Sequence, residues 1–388
     1  MIPDRAPAGR GRGVFLVGTD VDSLGGSQRV LHTLAQGLAE RGHRVDLIGI
    51  RPSPQPHPYQ ESPAYRHTTL YDRPPRPGTP VRRFRDVLHP RRLYGRHVQH
   101  AERDRARARV EERFRAVEDG YLIIGSPWAA DWLTSVRWPH LKGIGQYHES
   151  FPQAQASANL RLILRHYPQL EKSVFLSEDD AARFQSYRLP NACVIPNPLP
   201  FSLDEPAALD TRRIGAVGRL EAVKRLDRLI DAFAAACADL PDWELHLFGD
   251  GPQEAELRRH AQQAGVGERV CFRGSVEDMA SAYRELSVVA LTSDREGRPM
   301  ALAEAAGFGV PCVGFDISAG VRELVDHERT GLLVRPGDTA AFADALRRLV
   351  SDDALRGRLG AAARGHVASL SLPTVLDRWE ELFTEIDR

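Results

Sequence analysis

The sequence predicts an α/β protein built as two consecutive parallel-sheet halves, and three observations carry that prediction. The chain has 388 residues, 42% of them hydrophobic and 27% charged, which at roughly 100–200 residues per domain gives two domains with ordinary cores. Short apolar runs recur, each followed by a turn and then by apolar residues at helical spacing. That series starts twice, once at Gly13 and again near residue 212. The formal charge is zero, 52 Lys+Arg against 52 Asp+Glu, so a polyanion binder relying on bulk charge is excluded; a local basic face stays open, and nucleic acid is not the expected partner.

In the first half, Gly13–Gly18 reads as a buried strand. The loop Thr19–Gly26 follows, then a helix with Val30, Leu31, Leu34 and Leu38 on one face, then the strand Val45–Ile50. Strand, glycine-bearing turn, helix and strand make a βαβ unit with parallel pairing. Pro52, Pro54, Pro56, Pro58, Pro63, Pro74, Pro75, Pro77 and Pro80 then break the rhythm, because proline cannot sit inside regular elements. Residues 82–115 read as helical after about Leu93 and hold twelve arginines against five acids. This is a solvated helix first, and a surface for an anionic acceptor or anionic lipid heads second. Further strands are expected at Tyr121–Ile124, Gly143–Tyr147 and Ser173–Leu176.

In the second half, strands fit Ile214–Gly218, Glu244–Phe248, Val270–Arg273, Val288–Leu291 and Pro311–Phe315, with periodic helices between them, and Pro198–Asp210 reads as the linker. Two such halves place a cleft between them for a small ligand. Cys193, Cys237, Cys271 and Cys312 lie far apart with no CxxC pair, as reduced thiols do. No apolar run approaches the roughly 20 residues that cross a bilayer. The start MIPDRAPAGRGRG carries too little apolar length for a signal segment. A cytoplasmic protein, at most peripheral at the inner face of the membrane, is expected.

Four places carry candidate chemistry. Arg219 and Lys224 follow a strand end, where a forked guanidinium and a point charge suit a diphosphate; they are equally compatible with the exposed start of an amphipathic helix. Glu296-Gly297-Arg298-Pro299-Met300-Ala301-Leu302 leads to Glu304, with Pro299 read as the first helical residue and the free N–H groups of Met300, Ala301 and Leu302 aimed at an anion. The two carboxylates suit the hydroxyls of a sugar or ribose, against the plainer reading of a solvated acid and a structural ion pair. Gly25-Gly26 at the first strand–helix turn allows close backbone approach, although such turns often hold glycine for geometry alone. His148 follows a strand at the same cleft edge. Gly249-Asp250-Gly251 starts like a dinucleotide fingerprint but lacks its last glycine. Asp20-Val21-Asp22 has the spacing of a metal-binding acid pair with no other ligand set in view, and reads as loop chemistry.

Taken together, these motifs resemble the retaining glycosyltransferases of family 4. The resemblance rests on Gly25-Gly26-Ser27-Gln28-Arg29, Ile195-Pro196-Asn197, Ala216-Val217-Gly218-Arg219-Leu220 with Lys224, His246-Leu247-Phe248-Gly249-Asp250-Gly251-Pro252, Glu296 eight positions before Glu304, and Thr330–Val334 with Pro336-Gly337-Asp338. It is strong over 190–350, weaker over 13–50 and 143–195, and absent over 51–120. It implies a GT-B fold: residues 1–200 as an acceptor-binding Rossmann-like domain with 51–120 as an irregular basic insertion, 201–370 as the nucleotide-sugar domain, and 371–388 as a C-terminal helix packing back on the first domain.

The resemblance also implies roles. Arg219 and Lys224 grip the donor diphosphate, Glu304 holds the ribose, and Glu296 lies beside the transferred sugar. The backbone at Gly297, Met300, Ala301 and Leu302 cradles sugar and phosphate, Gly26 closes over the donor, and His148 sits near the reacting sugar with Glu149 beside it. Gly274-Ser275-Val276 meets the base. Two departures stand out. Arg298 replaces an apolar residue and adds a contact for an acidic group, and Ile317–Glu323 keeps the Gly, Arg and Glu of a polymer-directed subgroup without its proline.

The activity implied is transfer of a sugar from a nucleotide-diphosphate sugar, by default a UDP-sugar, to a hydroxyl of a glycan, lipid-linked or natural-product acceptor. The class is a hexosyltransferase-type enzyme that retains anomeric configuration, with no cofactor and no metal required. A phosphorylase or sugar-nucleotide epimerase is the alternative enzyme, although Lys142, Lys172 and Lys224 are the only lysines and none has a persuasive pyridoxal setting. A non-catalytic nucleotide-sugar-binding protein is the third reading.

Overall fold

The structure, a computed structural model, describes residues 11–73, 90–203 and 205–388. It divides into two compact units, one running to Ile195 and taking in Leu376–Arg388, the other Pro196–Val375. Pro74, Pro75, Pro77, Pro80, Arg82, Arg83 and Arg85 lie outside the described residues, as do the side chains of Arg91, Arg92 and Arg96.

The first unit is a seven-stranded parallel sheet. Its elements in chain order are β1 (Gly13–Gly18), α1 (Gly26–Glu40), β2 (Arg44–Gly49), β3 (Arg66–Thr69), α2 (Pro90–Arg115), β4 (Gly120–Ile124), α3 (Pro127–Leu133), β5 (Leu141–Gln146), α4 (Phe151–Gln155), α5 (Asn159–His166), β6 (Lys172–Phe175), α6 (Glu178–Ser186) and β7 (Ala192–Val194). The strand order is β3-β2-β1-β4-β5-β6-β7. Val14 lies between Val45 and Tyr121 in register, and β1 and β4 are buried along their whole length. Helices on both faces of a parallel sheet are why these strands read as continuous apolar runs instead of alternating ones.

The second unit repeats the plan. It contains β8 (Arg213–Val217), α7 (Leu226–Ala236), β9 (Glu244–Phe248), α8 (Glu254–Gln263), β10 (Val270–Gly274), α9 (Met279–Arg284), β11 (Val288–Leu291), α10 (Met300–Gly307), β12 (Cys312–Phe315), α11 (Ala319–Leu324), β13 (Gly331–Val334), α12 (Thr339–Ser351) and α13 (Asp353–His366). The strand order β10-β9-β8-β11-β12-β13 reverses between β8 and β11. In an open sheet of this kind the crevice beyond the carboxyl ends of the strands at that reversal is the ligand position. A last helix, α14 (Leu372–Ile386), follows. Its Trp379 and Phe383 are buried, Phe383 stacks on Tyr121 at 4.0 Å, and Arg41 meets Glu380 at 2.8 Å.

Three sequence expectations are corrected here, and one strand is added. The proline-rich stretch after residue 50 is not wholly irregular. Residues Arg66–Thr69 form β3 at the sheet edge, a strand whose exposed, half-polar sequence gives no apolar run to detect. The basic helix begins at Pro90, earlier than Leu93, because proline is tolerated in a first helical turn. Thr330–Val334 contains the strand β13. Pro198–Asp210 is no free linker: Leu199 is fully buried and its N–H bonds to Leu370, while Leu203 and Leu209 give their carbonyls to Arg364 and Arg356. Apolar side chains at 199, 201 and 203 hold it on the second unit.

The described arginines of α2 are engaged within the first unit. Arg109 reaches Asp72 and the Leu70 carbonyl, Arg113 reaches Thr68 and Asp46, and Arg107 reaches Ser135. This leaves the solvated-helix reading as the one the side chains fit. No helix among the described residues is long and apolar enough to cross a membrane. All four cysteines are free thiols.

Candidate active site

Lys224 and Glu296 emerge from the two loops that flank the sheet reversal of the second unit, one after β8 and one after β11. Lys224 Nζ donates to Glu296 Oε1 at 2.7 Å, and the Ser293 hydroxyl donates to the same oxygen at 2.7 Å. Their side chains are 25% and 14% exposed, so the pair is shielded but reachable.

The local chain is built to hold that lysine. Residue 225 has φ +47°, ψ +45°, a left-handed conformation unfavourable for arginine. It persists because the surroundings over-determine it. Arg225 is forked onto Asp227, and the Thr292 hydroxyl at the end of β11 is shared by the Lys224 and Arg225 carbonyls at 3.1 and 3.0 Å. The Asp294 N–H bonds to the Val223 carbonyl at 2.8 Å, closing the two loops on each other.

The strand-end turn at Gly218 is supported from β9. Gly249 has φ +124°, and a Cβ there would come within 2.2 Å of the Gly218 oxygen, so only glycine lets the two turns meet. Leu220 N–H bonds to the Asp250 carbonyl, and the Asp250 carboxylate accepts from Ser275. The glycine motif after β9 is thus a brace for the Arg219 turn. It also fixes Ser275 and the half-buried Val276. Arg219 stays exposed, its side chain 69% accessible and paired with Glu221 at 2.9 Å. The structure does not bring it into the Lys224–Glu296 pair.

Gly297 to Glu304 form the second wall. The sequence reading of Pro299 as first helical residue is corrected: Pro299 is the N-cap, extended at φ −70°, ψ +105°, and α10 starts at Met300. Leu302 N–H is turned back onto the Pro299 carbonyl at 3.1 Å, so it is not among the outward-pointing donors. Met300 and Ala301 N–H have no acceptor among the described residues, and no side chain caps the helix. By contrast α3, α6, α9, α11, α12 and α13 each start on a Ser or Asp whose side chain accepts a backbone N–H. Helices α1, α5, α7 and α8 lack such a cap too, so the difference matters only because α10 begins beside the Lys224 pair in sequence and topology. Glu304 is 5% exposed and accepts the fully buried Tyr283 hydroxyl at 2.9 Å.

Arg298 does not reach outward as the sequence suggested. Its side chain is 10% exposed and lies 3.4 Å from Glu323, an acid the chain itself supplies. The start of α11 locks this loop further. Ser318 donates to the Gly297 carbonyl at 2.9 Å, and Gly320 lies so close that a Cβ would be 2.2 Å from the same oxygen.

In the first unit the strand order reverses between β1 and β4. Gly25 caps α1 in an extended conformation, donating its N–H to the Tyr59 hydroxyl at 2.8 Å. A Cβ on Gly26 would meet nothing within 4 Å, so no packing requirement explains glycine there. Thr19 and Ser126, from the loops after β1 and β4, share a hydrogen bond at 3.0 Å. His148 stands half-buried just past β5, beside Glu149, which accepts the Tyr147 hydroxyl at 2.8 Å.

Sequence reasoning missed Ser293, Thr292 and Tyr283 as site residues, and it singled out the stretch Ile317–Glu323 without the contacts that Ser318, Gly320 and Glu323 make to the Gly297–Arg298 turn. It also read Asp22 as having no partner ligands, which is corrected: the fold gathers Asp22, His32 and His67 with one potential ligand atom each within 4.8 Å of one another.

Comparison with known proteins follows the same division of the chain. Residues 204–366 match the family of glycosyl transferases group 1, and residues 24–202 match glycosyltransferase family 4. An exopolysaccharide phosphotransferase of Streptomyces coelicolor is 29% identical over 94% of this chain, which spans 40% of that relative's length. An amylovoran biosynthesis glycosyltransferase of Erwinia amylovora is 29% identical over 56% of this chain and 63% of its own. This chain therefore covers less than two thirds of either relative. Among solved structures, Staphylococcus aureus TarM bound to fondaparinux, α-GlcNAc-glycerol and UDP aligns over 96% of this chain and 99% of its own, with TM-score 0.78 and 13% identity. Anabaena HepE bound to UDP-glucose aligns over 96% and 99%, with TM-score 0.73 and 19% identity.

Proposed function

Because this chain belongs to the family 4 glycosyltransferases of GT-B architecture, we propose that it transfers a sugar from a nucleoside-diphosphate sugar, UDP-linked by default, to a hydroxyl of a glycan acceptor with retention of anomeric configuration. The observation that carries this is the Lys224–Glu296 pair at the sheet reversal, next to the uncapped start of α10. A diphosphate leaving group needs a fixed positive field, and this is where the second unit holds one.

In the reaction the bond from the anomeric carbon to the diphosphate breaks and its electron pair passes to the phosphate oxygen. The acceptor oxygen bonds to the anomeric carbon on the same face and its proton goes to the departing phosphate. Lys224 neutralises the charge as it grows, and the Met300 and Ala301 N–H groups add their partial charge at a helix start. Arg219, exposed and paired only at the surface with Glu221, would exchange that partner to fork the phosphate. Glu296 keeps Lys224 aimed in the resting protein. Glu304, buried on Tyr283, offers a fixed acceptor for ribose hydroxyls. With these cations supplied by side chains, the transfer requires no metal and no cofactor. Polymer-building relatives and neighbours bound to UDP or UDP-glucose favour a glycan acceptor and a UDP donor.

The test is a panel of UDP-, GDP- and ADP-sugars offered with oligosaccharide and lipid-linked acceptors, reading nucleotide release and the anomeric coupling of the product by NMR. Donor-specific release with an axial-to-axial outcome supports the reading. No release from any donor, together with no thermal stabilisation by any nucleoside diphosphate, sinks it.

A further inference from the structure

We propose that Asp22, His32 and His67 form a binding site for one first-row divalent cation of the zinc class, separate from the donor-binding residues of the second unit. The three come from different elements of the first unit: the loop after β1, the first turns of α1 and the edge strand β3. Their potential ligand atoms lie within 4.8 Å of one another, with His67 Nε2 and Asp22 Oδ1 2.9 Å apart. Zinc–ligand bonds of about 2.0–2.1 Å in a tetrahedron put neighbouring ligand atoms about 3.3 Å apart. A small closing movement of one imidazole therefore suffices.

Two imidazoles and one carboxylate make the ligand set, and the groups around them are those that orient such ligands. His32 Nε2 lies 2.9 Å from the Val21 carbonyl. A carbonyl can only accept, so Nε2 carries the proton and Nδ1 presents its lone pair. That lone pair now faces the Tyr65 hydroxyl, which fits the fourth position as phenol or gives way to water. The second oxygen of Asp22 accepts the Thr69 hydroxyl at 3.3 Å. A ligand imidazole that donates its other N–H to a backbone carbonyl, and a ligand carboxylate held through its second oxygen, are the supports a metal centre uses. His32 is buried at 4% exposure, whereas the His67 side chain is 33% exposed, which gives an ion a path in from solvent.

The other group of this kind, Glu244, His246 and Cys271, is less suited. Arg213 and Arg273 act on both Cys271 and His246, and their positive charge opposes a cation there.

A cation at Asp22, His32 and His67 would clamp β3 to the loop that ends at Gly25. Tyr59 transmits the effect, since its ring stacks on His32 at 4.6 Å while its hydroxyl donates to the Ser23 carbonyl and accepts the Gly25 N–H. The expected role is to stiffen the glycine turn at the start of α1.

The experiment uses the full chain stripped with chelator. Cobalt(II) is titrated while the visible d–d absorption is followed, then displaced by zinc, and the bound metal is counted. One equivalent per chain with tetrahedral intensity, weakened at least tenfold in both His67→Ala and Asp22→Asn and unchanged in His246→Ala, supports the site. Metal-free melting equal to wild type shows that the variants fold. If either variant fails that check, His67→Gln and Asp22→Ala take its place. Absence of saturable uptake, uptake equal in all variants, or uptake lost in His246→Ala alone overturns it.

Discussion

Lys224 Nζ and Ser293 Oγ converge on one oxygen of Glu296, each at 2.7 Å. A lysine held in this way is pre-aimed, yet its ammonium is already partnered before any donor arrives. Lys224→Ala is therefore expected to lower kcat/KM by about 10²–10³, the scale of losing one preorganised charge donor at a developing anion, and to weaken nucleoside-diphosphate binding as read by calorimetry. Glu296→Gln keeps the shape and removes the competing charge. Diphosphate affinity should hold or rise while kcat falls at least tenfold, a split that distinguishes orientation of the transferred sugar from simple binding. Wild-type turnover in both variants would remove the pair from the mechanism.

The loop that continues from Glu296 is positioned by packing behind it. Gly320 has no room for a side chain, because a Cβ would sit 2.2 Å from the Gly297 oxygen. Gly320→Ala must push the Gly297–Met300 backbone away or shift α11. It is expected to lower Tm by several degrees and raise the donor KM at least tenfold while leaving the other unit's melting unchanged. A donor KM equal to wild type would show that the loop tolerates the displacement.

The residues legible in the sequence are those whose chemistry stands out locally. Lys224 follows a strand end, Glu296 and Glu304 interrupt an apolar helix start, and the fully buried strands β1, β4 and β11 read as apolar runs. What stayed hidden depends on strand order. Thr292 secures carbonyls 67 and 68 positions away because β8 and β11 are neighbours in the sheet, an adjacency no local pattern records. Strand β3 is four residues, Arg-His-Thr-Thr, with an exposed first half. Its presence at the edge is what carries His67 to Asp22. Arg298 was visible as a charge in an apolar context, but its partner Glu323 comes from the next βα unit.

One carboxylate gathers three donors at the end of the last helix. Asp387 accepts from Lys142 Nζ at 2.5 Å and Tyr121 Oη at 2.7 Å, and lies 2.6 Å from Arg12. Burial alone would raise its pKa, but the bonds from Lys142, Tyr121 and Arg12 outweigh it and hold the carboxyl below its ordinary 3.8. A depressed folded pKa contributes stability that is present above the unfolded value and lost as pH falls through the folded one. Asp387→Asn should therefore loosen α14 by about 2 kcal/mol at pH 7, the worth of charge-assisted bonds of this kind, seen as faster amide exchange over Leu376–Arg388. The difference from wild type should shrink as the pH falls below the ordinary 3.8 and through the lower folded value. A gap that stays constant into acid would mean the ionised form contributes nothing.

Arg298 and Glu323 set up the most specific expectation about the donor. The guanidinium is 10% exposed and its partner carboxylate 30% exposed, 3.4 Å apart, so the pair is largely withdrawn from water. Removing only the acid leaves a shielded cation short of one partner, at a cost of about 2 kcal/mol, and Glu323→Ala should melt earlier than wild type. The same change turns Arg298 toward whatever acid a ligand offers. With a uronic-acid donor, the kcat/KM ratio over the matching neutral hexose donor should rise about tenfold in Glu323→Ala, as one charge-assisted bond of about 1.5 kcal/mol provides. Arg298→Leu should abolish that gain when added to Glu323→Ala, because the cation that would read the acid is gone. A ratio that does not move in Glu323→Ala would mean that Arg298 faces the protein interior alone, and that the loop's arginine stabilises the Gly297 turn without selecting the sugar.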